Sequence, residues 1–82
     1  LVDDMVSTGH TLMQVARQLR AQGIGDVRAV FVHALFGDDT AAEMRDAGIA
    51  ELAGCNTVAH ASNRIDVTPM IGEWVAEMAA GR

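Results

Sequence analysis

The run Val27–Val32 is nearly continuous in β-branched and aromatic residues, and it sits between two segments with helical spacing. A run of that kind predicts a strand covered on both faces, the habit of parallel sheets flanked by helices. Ahead of it, Leu12, Val15, Ala16 and Leu19 fall at i, i+3, i+4 and i+7, which puts four apolar side chains on one helical face. Gln14, Arg17, Gln18 and Arg20 face elsewhere, and Gly23 supplies a left-handed stop. Beyond the run, Gly37-Asp38-Asp39 breaks the pattern; an aspartate there is expected to cap a short helix Thr40–Ala47 that Gly48 ends. Ile49–Cys55 reads as a weaker strand interrupted by alanine and glycine, and Ile65–Val67 as a short one. Thr68-Pro69 carries the N-cap and first-turn signature of a last helix, with Met70, Ile71, Trp74, Val75 and Met78 as its apolar stripe and Gly81 at its end. The order β-α-β-α-β-β-α predicts an α/β fold, a mainly parallel sheet with flanking helices.

Eighty-two residues make at most one small domain, which buries only about 60% of its unfolded surface. Only Leu1 and Val2 remain of the four to eight apolar residues, roughly, that a buried first strand brings. The chain is therefore expected to be a fragment of a longer protein. No apolar run approaches the length that crosses a bilayer and no signal-peptide pattern opens the sequence, so a cytoplasmic protein without membrane contact is expected. The one cysteine, Cys55, cannot form an internal disulfide or a multi-cysteine zinc site, and is expected to pack as a small hydrophobe. Net charge is −5 without a basic run, which argues against a nucleic-acid partner. Lysine is absent, which removes a P-loop, a protein-kinase site and a Schiff-base enzyme from this segment.

The chemistry concentrates in the first strand-to-helix turn, the favoured ligand position in such a sheet. Adjacent carboxylates repel, so Asp3 and Asp4 have little structural reason to be neighbours, whereas a ligand explains both. Downstream, Ser7, Thr8 and Thr11 place hydroxyls around Gly9, whose lack of a side chain lets the backbone approach a ligand, at the start of a helix with unpaired N–H groups and a positive dipole end. This is a phosphate cradle without a side-chain cation. The two aspartates can accept from sugar hydroxyls or hold Mg²⁺, and a phosphorylated ribose satisfies both halves.

Asp3-Asp4-Met5-Val6-Ser7-Thr8-Gly9-His10-Thr11 resembles the ribose 5-phosphate and phosphoribosyl-pyrophosphate (PRPP) loop of the type I phosphoribosyltransferase fold. Val32-His33-Ala34-Leu35-Phe36, Gly48-Ile49, Cys55-Asn56-Thr57-Val58 and Ile65-Asp66-Val67 extend the resemblance to the C-terminal part of the ribose-phosphate pyrophosphokinases, where the corresponding stretches read close to "THGLFS" and "TNTIP". The resemblance implies that residues 1–82 are the C-terminal part of a phosphoribosyltransferase-like domain. It also implies transfer of the β,γ-diphosphoryl group of ATP to the anomeric hydroxyl of ribose 5-phosphate, giving PRPP and AMP. Asp3 and Asp4 would bind ribose hydroxyls with Mg²⁺ nearby, while Ser7, Thr8, Gly9, His10 and Thr11 would hold the 5-phosphate. The ATP site would lie mostly outside this segment, in the rest of the chain and a neighbouring copy in a homo-oligomer, so the 82 residues alone are expected to be inactive. Two positions depart from the pattern: many members have Asp at Ser7 and Gly at His10. A side chain at His10 requires a backbone that does not need positive φ.

Of the other polar residues, His33 ends a strand on the ligand side, His60 is expected to be solvent-exposed, Asn56 and Thr57 are expected to form a turn, with lining of the pocket as the alternative, and Arg64 is a candidate subunit contact. A base phosphoribosyltransferase and a non-catalytic, regulatory homologue are the alternative functions; a phospho-receiver domain is excluded by the missing lysine.

Overall fold

The computed structural model describes residues 1–81. Seven elements follow one another: β1 (Val2–Val6), α1 (His10–Ala21), β2 (Val27–Ala34), α2 (Asp38–Asp46), β3 (Ile49–Cys55), β4 (Asn63–Ile65) and α3 (Thr68–Ala79). The strands form one all-parallel sheet in the order β1-β2-β3-β4. The expected α/β class and element order hold.

The parallel strands add in one direction, and α1 and α2 lie together on one face of the sheet, as repeated right-handed crossovers require. Leu12, Met13 and Ala16 of α1 and Met44 of α2 meet Val27, Ala29, Phe31, Ile49 and Leu52 in a single core. The opposite face is bare. Val30 and Val32 are 40% and 39% exposed, so β2 is covered on one side only, contrary to the two-sided burial its composition suggests. Arg28 on that face pairs with Asp26 at 3.0 Å and Glu51 at 3.8 Å, contacts whose strength water screens.

Three boundaries differ from the sequence reading. Helix α2 starts at Asp38, after Gly37, and neither Asp38 nor Asp39 makes a capping hydrogen bond. Strand β4 is Asn63–Ile65 rather than Ile65–Val67, because Asp66 leaves the sheet to accept the Thr68 N–H at 2.9 Å and so organises the start of α3. Thr68 is thus the first helical residue, with Val67 ahead of it.

Helix α3 has the expected apolar stripe but buries none of it: Met70, Ile71, Trp74, Val75 and Met78 are 52% to 67% exposed. It is attached by its N-terminal end. Asn56 donates to Asp66 Oδ1 at 2.8 Å and to Thr68 Oγ1 at 3.2 Å, and its Oδ1 accepts the Val67 N–H at 2.9 Å. No helix among the described residues is long and apolar enough to cross a membrane.

Candidate functional site

β1 is an edge strand whose carboxyl end runs through Ser7 and Thr8 into α1. At that end a small cleft of about 130 Å³ is lined by Asp3, Ser7, Thr8, Gly9, His10 and Thr11, together with Met5, Val6 and Leu12. Pockets for drug-sized ligands run to roughly 300–1,000 Å³, so this one suits a compact group with the rest of its ligand outside. Ser7, Thr8, His10 and Thr11 are exposed and Gly9 is buried.

Gly9 serves two ends at once. Its φ of 71° is left-handed, and a Cβ there would lie 2.8 Å from Met44 Sδ and 3.1 Å from Met44 Cγ on α2. The loop is therefore fixed by packing as well as by what approaches it. His10 is the first residue of α1, and no non-glycine residue among those described has positive φ, so its side chain is accommodated without strain.

The N-terminus of α1 has no side-chain cap and no acidic residue in its first turn. Its leading N–H groups and the positive end of its dipole are offered to the cleft, beside three hydroxyls. That is the electrostatics of an anion site built without a cation.

Asp3 is half-buried and lines the cleft; Asp4 is exposed and does not. Asp3 Oδ1 accepts the Asp4 N–H at 2.8 Å and Asp4 Oδ1 accepts the Met5 N–H at 2.8 Å, so each carboxylate also covers backbone of its own edge strand. Neither forms an ion pair among the described residues. No three His, Cys, Asp or Glu side chains among the described residues converge as a metal cluster. Asp3 alone in the cleft suits only an ion such as Mg²⁺, which keeps several waters and takes its remaining oxygens from a ligand.

His33 and Thr57 enter this end of the sheet from other strands. β1 and β2 pair Met5 with His33, and the alternation of burial breaks together in both: Met5 and His33 are exposed, whereas Val6 and Ala34 beyond them are buried. Leu35 N–H donates to Val6 O at 2.9 Å and holds the two strand ends side by side. His33 Nδ1 lies 2.7 Å from Thr57 Oγ1, which also donates to Val32 O at 3.2 Å. Thr57 turns the chain as expected and also bridges two segments. A loop threonine 24 positions from its histidine gives no local sequence signal for such a contact.

One further expectation is corrected. His60 is half-buried, not solvent-exposed: its Nδ1 accepts the Ser62 N–H at 3.0 Å and its Nε2–H donates to Phe36 O at 2.6 Å. Those bonds fix a neutral tautomer and leave the ring tied to the fold. Asn56 lies in the expected turn and is also a helix anchor: the Thr68 N–H and hydroxyl, with the Asn56 amide, hold the Asp66 carboxyl below the usual range. Arg64, in β4, donates to the nearby carbonyls Ala61 O at 3.0 Å and Asn63 O at 2.9 Å. Cys55 is buried, as expected of a small hydrophobe.

Comparison with known proteins places this geometry in a family. Residues 1–78 match the phosphoribosyl synthetase-associated domain. The chain is 34% identical over 79 residues to a ribose-phosphate pyrophosphokinase of Methanopyrus kandleri, covering 96% of this chain and 27% of that protein. It is 36% identical over 73 residues to a ribose-phosphate pyrophosphokinase of Methanosarcina mazei, covering 89% and 25%. Ribose-phosphate pyrophosphokinase 2 of Archaeoglobus fulgidus is 38% identical over 73 residues, at 89% and 27%. The chain spans about a quarter of the length of these curated relatives. It belongs to the phosphoribosyl synthetase-associated domain family.

Proposed function

From that membership we propose that residues 1–82 are the ribose 5-phosphate-binding part of a cytoplasmic, homo-oligomeric ribose-phosphate pyrophosphokinase. The observation that carries the reading is the uncapped, acid-free N-terminus of α1 facing a cleft lined by Ser7, Thr8 and Thr11. An anionic group satisfies those N–H groups and hydroxyls together, and the cleft is sized for a phosphate rather than for a nucleotide. The carboxylate of Asp3 is the hydroxyl acceptor for the sugar attached to it.

In the proposed reaction the anomeric hydroxyl of ribose 5-phosphate attacks the β-phosphorus of ATP. The new C1–O–P linkage forms as the bond from the β-phosphorus to the oxygen of AMP breaks, and the hydroxyl proton is lost. This chain's part is to hold the sugar so that the hydroxyl is aligned, which is most of what phosphoryl transfer asks of a protein. Mg²⁺, held by Asp3 with water and substrate oxygens and with Asp4 as a further carboxylate near it, would supply charge neutralisation when bound. The described residues contribute no lysine and only the exposed arginines Arg17, Arg20, Arg28, Arg45 and Arg64, so cations for a triphosphate are expected from outside this segment.

The test is a product count. The complete protein with ATP, ribose 5-phosphate and Mg²⁺ should yield AMP and PRPP in equal amounts without ADP, and residues 1–82 alone should yield neither. Asp3→Asn in the complete protein should lower turnover at least about tenfold with the fold intact, a loss of roughly 1.4 kcal/mol or more in transition-state stabilisation. A complete protein that binds ribose 5-phosphate but makes no PRPP would favour the regulatory homologue. Consumption of PRPP with a base to give a nucleotide would favour a base phosphoribosyltransferase.

A further inference from the structure

The tautomer of His33 is set by its partner. Thr57 has one hydroxyl proton, and Val32 O can only accept, so the bonds at 2.7 Å to His33 Nδ1 and 3.2 Å to Val32 O coexist only when Nδ1 carries the proton. The neutral ring then has its lone pair on Nε2. The side chain of His33 is exposed, and none of its hydrogen bonds within the described residues uses Nε2.

The position of that lone pair follows from the sheet. His33 is the register partner of Met5, and Met5 lines the cleft at the α1 N-terminus. Neighbouring strands lie about 4.8 Å apart, so the backbone of His33 stands one strand away from Met5 at the same carboxyl edge. A bare lone pair cannot bond a phosphate oxygen, which has no proton to give at neutral pH; it can accept from a hydroxyl.

Resting on the ribose 5-phosphate reading, we propose that His33 is a sugar-contacting residue whose Nε2 accepts a hydrogen bond from a hydroxyl of the ribose, with Thr57 as the residue that positions the ring. The phosphate is then read by α1 and the sugar by side chains of β1 and β2. The same division separates ribose 5-phosphate from inorganic phosphate.

Calorimetry on the complete protein tests this with both ligands. His33→Asn keeps an N–H in the place of Nδ1 for Thr57 but has nothing at Nε2. It should weaken ribose 5-phosphate about five- to tenfold, the scale of one hydrogen bond, and leave inorganic phosphate within about twofold. Thr57→Val, which frees the ring, should weaken ribose 5-phosphate by a smaller factor and again spare phosphate. Nitrogen NMR of the wild type should place the His33 proton on Nδ1. Equal loss for both ligands, no loss for either, or a proton on Nε2 in the neutral ring would each overturn the role of His33 while the ribose 5-phosphate site stands. A wild-type protein that binds phosphate but not ribose 5-phosphate would remove both.

Discussion

Helices α1 and α2 both begin after a glycine and both lack a side-chain cap, yet they treat their positive ends in opposite ways. Helix α2 carries Asp38 and Asp39 in its first turn, so its own residues answer its dipole. Helix α1 carries no acid there and instead has Ser7, Thr8 and Thr11 around its first N–H groups. The two glycines differ as well. Gly9 is left-handed and packed on Met44, whereas Gly37 has an extended backbone with nothing within 4 Å of where a Cβ would stand. One helix start is answered by its own acids; the other leaves its first N–H groups facing the cleft.

The widest contrast should come from the glycines. Gly9→Ala forces a side chain into left-handed backbone and against Met44, and should cost about 2 kcal/mol or more in chemical denaturation. Gly37→Ala should change stability by less than about 0.5 kcal/mol. Equal losses would mean that the α1 turn is no more constrained than its counterpart. Because Gly9 supports the fold, substitutions there report on folding before binding, and the next contrast uses Thr11 instead.

Thr11→Glu gives α1 the acidic first turn that α2 already has. Binding of ribose 5-phosphate should weaken at least about tenfold, or 1.4 kcal/mol, while the helix itself gains about 0.3–1 kcal/mol. Unchanged affinity would show that the two helix starts do not differ in the way described. The mirror change, Asp38→Asn with Asp39→Asn, should cost α2 about 0.3–1 kcal/mol per site and leave ribose 5-phosphate affinity as it was. The smallest effect concerns α3. The Asp66 carboxyl is held below its usual range by Thr68 and Asn56, so it contributes to attachment of α3 at pH values above the ordinary carboxylate range, and that contribution is lost as pH falls through its lowered value. Protection factors in the first turn of α3, taken relative to the intrinsic exchange rate at each pH, should therefore fall in acid, and Asp66→Asn should remove that dependence.

Much of this contrast was legible in the residues, for physical reasons that also mark where legibility stops. The helical face of Leu12, Val15, Ala16 and Leu19 and the stop at Gly23 locate α1, because periodicity reports which side of an element is apolar. The Ser-Thr-Gly turn after the first strand locates the cleft at the α1 start. The same periodicity located the stripe of α3 but could not say what lies against it, and α3 is uncovered among the described residues. β4 slipped by two residues because Ile65 and Val67 look like a strand, while the bond that Asp66 accepts from the Thr68 N–H decides where the sheet ends. His60 and Thr57 looked like polar loop residues, since their partners, Phe36 O and His33, are 24 positions away in sequence. Asp3 and Asp4 stood out as a charged pair, but only the structure separates one that lines the cleft from one that does not.

The most direct measurement is the position of the phosphate in crystals of the complete protein soaked with ribose 5-phosphate. The phosphate should lie against the backbone N–H groups and hydroxyls of residues 7–11, with the sugar directed toward Asp3, and the α2 start at Asp38 and Asp39 should hold none. A phosphate seated elsewhere, with the loop from Ser7 to Thr11 empty, would contradict the account.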